Sequence, residues 1–225
     1  MDYFISFFWG TDPIRTKFAQ EFCDRYPQVI LLQNGNIIKT KNTVHFNLLE
    51  EGFIDYKMLN IWLVGKDIRT LTLIDSDLIL SKDFFDLITE GHRFGIPSFL
   101  TYKSGYELID NKIHFASNSM VYNHRRGIKE GHTGYVLSFN DEFLKAYQFD
   151  DSFIHGGYDY FLTNAILGKC MSQFVTNFKR VPKTYHNYIE TSVIHQFHGP
   201  ASHRKTPWEL YNKRSYGWNY KSLGT

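Results

Sequence analysis

The chain of 225 residues has little net charge, few cysteines and no long hydrophobic run. Its 25 basic and 23 acidic residues give a formal net charge of +2, which gives no whole-chain electrostatic reason to expect a nucleic-acid binder. Cys23 and Cys170 could pair with each other, but two thiols supply neither a disulfide framework nor a zinc site. No stretch approaches the roughly 20 apolar residues that a membrane span needs. We therefore expect a cytoplasmic protein without a membrane span.

The chain also lacks a signal-like start, internal repeats and low-complexity segments. Its first residues read MDYFISFFWGTD, where an early acid, no basic residues and a short apolar run favour a strand over a signal peptide. Since no linker is visible either, we expect one domain over residues 1–225. Aromatic residues are plentiful at 17%, and they fill protein cores more often than they line flat-ligand pockets.

Hydrophobic spacing in the first half predicts alternating strands and helices. The predicted strands are 3–9, 29–32 and 70–74 with 78–80 continuing the last, the helices are 13–26, 56–64 and 83–88, and a short hairpin lies within 36–48. This alternation predicts an α/β fold, a single Rossmann-like domain whose mostly parallel central sheet is flanked by helices.

The pattern changes after residue 95. Strand-like runs and short helices alternate irregularly, with strands at 97–102, 114–122 and 135–139 and helices at 141–147 and 158–167. The tail from Ile194 is aromatic, basic and predicted to be irregular. We expect residues 1–95 to form a nucleotide-sugar-binding half, and residues 96–225 to form an acceptor half with a C-terminal lid.

The most specific motif is a carboxylate pair directly after the third buried strand, in the segment LIDSDLI. Ligands of open α/β sheets bind at the carboxyl ends of the strands. Alternate residues of an extended chain point to the same side, so Asp75 and Asp77 could approach one cation. Hard oxygen ligands suit Mg²⁺ or Mn²⁺ on a diphosphate. The alternative is a strand end where Asp77 or Ser81 only caps the next helix.

The segment IDSDLIL resembles the DxD motif of nucleotide-sugar glycosyltransferases with the A-type fold. The resemblance implies that Asp75 and Asp77 hold the metal bridging the donor's phosphates. The segment KMLN is similar to the K-x-x-N helix of these enzymes, which implies that Asn60 contacts the donor. Their nucleoside-binding loop is matched in position by Gly10, Thr11 and Asp12. The alternatives are that Asn60 is only an exposed helix residue, and that Gly10, Thr11 and Asp12 only form a turn.

A second motif, HGGYDYFL, begins at His155. Its two glycines let the backbone approach a ligand closely, and Asp159 falls in a first helical turn, where its ionised form is stabilised. The motif resembles the G-G-x-D stretch of inverting galactosyltransferase-like enzymes. The resemblance implies that Asp159 is the general base for the acceptor hydroxyl, with the acceptor contacted by Gly156, Gly157 and Tyr158. The alternative is that Asp159 only caps the helix.

A third motif, IHQFHGP, begins at Ile194 and is followed by basic residues. A neutral imidazole can complete a carboxylate metal site. The motif resembles the H-G-x-x-x-x-R ending of galactosyltransferase-like proteins, which implies that His198 binds the metal, with His195 as the alternate. The diphosphate would be neutralised by Arg204, Lys205 and Arg214. Alternatively, the histidines only form hydrogen bonds in the core.

These motifs together predict a metal-dependent hexosyltransferase that uses Mn²⁺ or Mg²⁺. The resemblance implies a UDP-linked sugar donor and a glycan or other hydroxylated acceptor. Inversion of the anomeric centre is favoured by Gly156-Gly157 together with His198-Gly199. A retaining mechanism is the alternative, because Lys205, Pro207 and Trp208 resemble the H-x-x-G-x-x-K-P-W ending of glycogenin-type enzymes.

Three rival functions remain. A nucleotidyltransferase is disfavoured because the WGTDP loop has no G-x-G and no lysine before Lys17. A non-enzymatic nucleic-acid binder is suggested by basic and aromatic residues interleaved in the tail, from His203 to Lys221. The third rival combines sugar transfer with nucleic-acid binding. It is a transferase that glycosylates a hydroxylated base in DNA, for which the base would be flipped out of the duplex.

Overall fold

The structure is a computed structural model that describes residues 1–10, 12–49, 54–93, 98–102, 106–109, 112–115, 134–146, 149 and 193–196. The strands, in chain order, are β1 (Asp2–Phe8), β2 (Val29–Asn34), β3 (Thr43–Phe46), β4 (Thr70–Ile74), β5 (Leu78–Leu80), β6 (Ser98–Tyr102), β7 (Tyr106–Ile109), β8 (Lys112–Phe115), β9 (Gly134–Asn140) and β10 (Val193–Gln196). The helices are α1 (Pro13–Arg25), α2 (Asp55–Leu63), α3 (Phe84–Arg93) and α4 (Asp141–Ala146).

A six-stranded sheet in the order β3-β2-β1-β4-β9-β6 forms the centre of the molecule. Strands β3, β2, β1 and β4 are parallel, and β9 is antiparallel to both of its neighbours. This arrangement confirms the predicted α/β class with a mostly parallel sheet. Since the parallel strands end at one edge, the loops after β1, β2 and β4 meet there; we call it the carboxyl edge.

The two faces of the sheet bury separate apolar clusters. On one face, Phe22 of α1 and Phe84 of α3 pack with Phe8 of β1. On the other face, Met58 of α2 packs with Ile5 of β1. Even-numbered β1 residues such as Phe4 and Phe8 therefore point to one face and odd-numbered ones such as Ile5 to the other, and the two-sided burial explains why this strand is apolar almost throughout.

Helix α1 begins and ends through specific side-chain contacts. Asp12 is its N-cap, with Oδ1 accepting from the backbone nitrogens of Ile14 at 2.9 Å and Arg15 at 3.0 Å, and Pro13 opens the helix as predicted. After the last turn, the Tyr26 hydroxyl donates to the Leu80 carbonyl at 3.1 Å and accepts from the Leu80 nitrogen at 2.7 Å. The far end of α1 is thereby joined to β5.

A second, smaller sheet has the order β5-β10-β7-β8. Strand β10 is antiparallel to β5 and parallel to β7. The sheet therefore joins residues that follow the carboxylate pair to a strand from near residue 195. Such a long-range pairing cannot be read from local periodicity.

Three expectations about local structure are wrong. Residues 36–48 form no hairpin; instead β3 pairs in parallel with β2. Leu78–Leu80 does not continue β4, because the chain turns at Ser76 and Asp77 and enters the second sheet. The tail is not irregular from Ile194, since β10 runs to Gln196. The helix predicted at 158–167 lies outside the described residues.

The buried thiol of Cys23 lies within the α1 core cluster. Burial, with a smaller contribution from Asp24, raises the pKa of this thiol to about 12. A thiol held in its neutral form is a poor nucleophile, so Cys23 is a core residue. Among the described residues, no helix is long and apolar enough to cross a membrane.

Candidate functional site

The loops after β1 and β4 lie side by side at the carboxyl edge. Ile5 of β1 is paired with Leu73 of β4, so β4 ends at the level of Ser6 while β1 runs on to Phe8. Beyond these pairs, the Ser76 hydroxyl donates to the Phe7 carbonyl at 3.4 Å, which joins the carboxylate-pair loop to the end of β1. The sheet therefore brings the DSD segment beside the loop that the sequence predicts to bind a nucleoside.

Asp75 and Asp77 stand at this edge on a turn and are both partly exposed. Asp75 directly follows β4, whereas Ser76 and Asp77 form the turn into β5. The expected reason for their proximity, alternation along an extended strand, is therefore wrong. Both carboxylates still lie within one short loop.

Strand β10 brings a histidine backbone to the same turn. His195 is paired with Leu78, the residue after Asp77, and the Gln196 nitrogen donates to the Asp77 carbonyl at 2.9 Å. The sequence favoured His198 as the metal ligand, but His198 lies outside the described residues. The backbone pairing places His195, the alternate, within one residue of the carboxylate pair. Its role as a ligand stays a prediction.

The loop after β1 has a glycine where the backbone requires one. Gly10 has a φ of +104°, a left-handed conformation that side chains rarely tolerate, although a Cβ there would meet no atom within 4 Å. The constraint is therefore conformational, and space beside this backbone is open. Asp12 caps α1 in the way described above, and Thr11 lies outside the described residues. Donor contact by these residues stays a prediction.

Sequence reasoning missed a buried carboxyl at the same edge. Asp55 opens α2 with 6% of its surface exposed, and its Oδ1 accepts from the Trp9 indole nitrogen at 2.6 Å. Burial raises the pKa of Asp55 to about 7, against the opposing effects of the Trp9 hydrogen bond and the charge of Arg15. The one available signal was an acid just before the helix predicted at 56–64.

Asn60 contacts a different part of the molecule. Its amide nitrogen donates to the Phe149 carbonyl at 2.9 Å. It also lines a cavity of about 420 Å³ whose other walls include Ile68 before β4 and Leu144 of α4. This cavity lies at the opposite edge of the sheet, away from the carboxylate pair. The predicted donor contact of Asn60 therefore gains no support from this hydrogen bond, and it stays a prediction.

The acceptor and diphosphate residues predicted from sequence are not described. They are Gly156, Gly157, Tyr158, Asp159, Arg204, Lys205 and Arg214. Within the part of the chain that is described, no group of three or more histidine, cysteine or acidic side chains is placed to hold a metal ion. A third protein ligand for a metal held by the carboxylate pair would therefore come from outside that part or from His195.

Comparison with known proteins gives only distant likenesses. No protein-family model matches the chain, and no curated protein is significantly similar to it in sequence. Among solved structures, galactosyltransferase LgtC, crystallised with donor and acceptor sugar analogues, is 13% identical; the match covers 100% of this chain and 97% of LgtC, with a TM-score of 0.40.

Two further solved structures are similar at the same level. The 4-diphosphocytidyl-2C-methyl-D-erythritol synthase of Anaerococcus prevotii is 12% identical over 95% of this chain and 99% of its own, with a TM-score of 0.35. The glycosyltransferase GlyE of Streptococcus pneumoniae is 12% identical over 99% of this chain, also with a TM-score of 0.35. The chain spans 64% of GlyE and 53% of the bifunctional IspDF of Campylobacter jejuni. Likenesses this distant carry no argument about activity.

Proposed function

We propose that this chain is a metal-dependent glycosyltransferase that moves a hexose from a nucleotide diphosphate sugar, with UDP as the nucleotide, to an acceptor hydroxyl. One observation carries the proposal: Asp75 and Asp77 stand on the loop after β4, directly beside the end of β1, at the carboxyl edge of a mostly parallel sheet. This is where open α/β sheets bind their ligands. Because folds of this class host many functions, the proposed activity depends on this loop and not on the fold.

The ligand chemistry of this loop fits a hard divalent cation. Asp75 and Asp77 supply carboxylate oxygens, the ligands that Mn²⁺ and Mg²⁺ prefer, and both are partly exposed. In the proposal they hold the ion with His195 or His198. When bound, such an ion supplies charge neutralisation for the departing diphosphate.

The N-terminus of α1 is poorly suited to replace that positive charge. Helix N-termini bind phosphates through their unpaired N–H groups. Here the carboxylate of Asp12 already accepts from the nitrogens of Ile14 and Arg15, and it brings a negative charge of its own. The diphosphate therefore needs other cations, and the proposal assigns this role to Arg204, Lys205 and Arg214 of the tail.

The acceptor side of the proposal rests on resemblance. Asp159 takes the proton from the acceptor hydroxyl, and the displacement inverts the anomeric centre. Gly156, Gly157 and Tyr158 lie against the acceptor. A positioned carboxylate is a suitable base because a sugar hydroxyl is a weak nucleophile until its proton is removed.

The decisive experiment is a screen of nucleotide sugars for hydrolysis and transfer in the presence of Mn²⁺. We expect turnover with a UDP sugar, and its loss when a chelator removes the metal. Full activity in excess chelator would contradict metal dependence. Duplex and single-stranded DNA with hydroxylated bases serve as one acceptor arm, glycans as another. Binding of DNA without turnover of any donor would instead favour the nucleic-acid-binding alternative, with a strong salt dependence as its signature.

A further inference from the structure

The loop after β1 is held to α2 by one short hydrogen bond. The Trp9 indole nitrogen donates to Asp55 Oδ1 at 2.6 Å, although the two residues are 46 positions apart. Trp9 is the first residue beyond β1, and Asp55 is the first residue of α2. The bond therefore connects two elements where both reach the carboxyl edge, next to the loop that carries Asp75.

The fold does not need a carboxyl at this position for helix capping. The N-cap of α2 is Ile54, which makes no side-chain hydrogen bond to the helix. Asp55 is 6% exposed, and burying an ionisable group costs free energy that one indole hydrogen bond only partly offsets. An apolar residue in its place would leave the Trp9 indole N–H without this acceptor. The carboxyl therefore has a task at this edge.

That task concerns the position of the indole. Trp9 is partly exposed and partly packed against the α2-side core cluster, and it follows β1 at the edge where the loops after β1 and β4 meet. With its N–H bound to Asp55, the ring has one fixed end and an apolar face. A fixed, partly exposed aromatic plane suits contact with a flat heterocycle. Arg15 of α1 is the cation whose charge acts on the same carboxyl.

We propose that Asp55 is a positioning residue for nucleotide binding, which fixes the Trp9 indole as one wall of the donor crevice. The inference rests on the proposed function, because it takes the ligand to be a nucleotide. Asp55 itself does not touch the ligand. Its effect should appear in nucleotide affinity and in the orientation of one indole, whereas the rate of the chemical step from a saturated complex should change little.

The test uses the four indole N–H resonances of the isotope-labelled full chain, with UDP plus diamagnetic Mg²⁺ as the probe; the tryptophans are Trp9, Trp62, Trp208 and Trp218. Trp9→Phe assigns the Trp9 signal and removes its donor. Asp55→Leu removes the acceptor, whereas Asp55→Asn keeps an oxygen that can accept the same hydrogen bond. Trp62→Phe is the matched control, because Trp62 lies on α2 too but packs edge-on against Tyr3 in the core.

We expect UDP to shift the Trp9 signal and leave that of Trp62 in place. Asp55→Leu and Trp9→Phe should each weaken UDP binding about tenfold, and the double variant should be no weaker than either, because both remove one coupled interaction. Asp55→Asn should restore most of the affinity, and Trp62→Phe should leave it unchanged.

The outcomes separate the inference from the proposed function. If the wild-type chain binds UDP but Asp55→Leu binds equally well, or if the two single losses simply add, the positioning role is wrong and the proposed function stands. If Asp55→Asn is as weak as Asp55→Leu while both remain folded, the hydrogen bond is not the reason. If no nucleotide diphosphate binds the wild-type chain at all, the proposed function fails and takes the inference with it.

Discussion

The carboxyl groups near the two ends of β1 have pKa values shifted in opposite directions. At the amino end, Asp2 accepts from the Arg69 guanidinium and, at 2.8 Å, from the Thr70 hydroxyl, and these contacts hold its pKa below the usual range. At the carboxyl end, burial raises the pKa of Asp55 to about 7. The fold stabilises the charged form of Asp2, whereas burial destabilises the charged form of Asp55. Perturbed groups of the second kind cluster at functional sites.

The same contrast applies to the segments around these residues. At the amino end, Arg69 and Thr70 both donate backbone N–H groups to the Met1 carbonyl, so the polar groups there close the fold. At the carboxyl end, the loops after β1 and β4 bring together Gly10 in a left-handed conformation, a buried acid and two partly exposed acids. Variants at the two ends should therefore differ in whether they change nucleotide binding and turnover.

The largest expected effect is on turnover at the carboxyl edge. Asp77→Asn keeps the size of the side chain but removes the charge that would hold the cation, so we expect a loss of at least about 10³-fold in transfer rate. Thermal unfolding should change little. The control is Asp24→Asn, an exposed acid on α1 far from this edge. If Asp77→Asn keeps wild-type activity while a chelator still abolishes that activity, the cation is bound elsewhere.

A second effect should appear in the chemical step alone. Asp159→Asn should lower kcat by about 10²- to 10⁴-fold, because removal of a positioned base costs that much. Binding of UDP should stay at the wild-type level, since this residue is assigned to the acceptor. The anomeric configuration of the product, read by NMR, decides the mechanism: a retained centre would reduce Asp159 to a helix cap or an acceptor ligand.

The third effect is a pH dependence of stability that Asp55 imposes. Its folded pKa of about 7 lies above its ordinary value of 3.8, so the folded state takes up the proton more readily than the unfolded state does. The stability contributed by this group is therefore complete below pH 4 and is lost as the pH rises through 7. The separation of the two values corresponds to a loss of at most about 4 kcal/mol.

Urea unfolding at pH 5 and pH 8 measures this loss. The free energy of unfolding of the wild-type chain should fall between the two values, and Asp55→Asn should flatten the fall, because an amide does not titrate. The same slope in the variant would assign the pH dependence to other groups. The comparison is informative even if the chain binds no nucleotide, since it concerns the apo protein.

Much of the fold could be predicted because its signals are local. The apolar run of β1, the Asp12-Pro13 start of α1 and the buried TLTLI strand are each visible within a few residues. The carboxyl-edge position of Asp75 followed from the strand that precedes it. The DSD motif was therefore placed correctly at the edge, although the extended geometry expected for it was wrong.

The remaining features depend on contacts between distant residues. Nothing near Asp55 in the sequence shows that Trp9 will lie 2.6 Å away, and nothing near His195 shows that β10 will pair with β5. A hairpin was predicted within residues 36–48, but tertiary pairing with β2 aligned Thr43–Phe46 as a parallel strand. Strand partners and buried carboxyls are decided by the assembled core, which no local pattern records.

The smallest expected effect is at the amino end of β1, and it should have the opposite sign with pH. The pKa of Asp2 is lowered by its Arg69 hydrogen bond, so its contribution to stability is present above about pH 4 and is lost as the pH falls through the lowered value. Arg69 is largely exposed, so solvent and salt screen the pair and the effect should be small. Asp2→Asn should slightly destabilise the chain at pH 7, less so in high salt, with UDP binding unchanged. Weakened UDP binding in this variant would break the division between the two ends of β1, because it would show that the amino end also shapes the site.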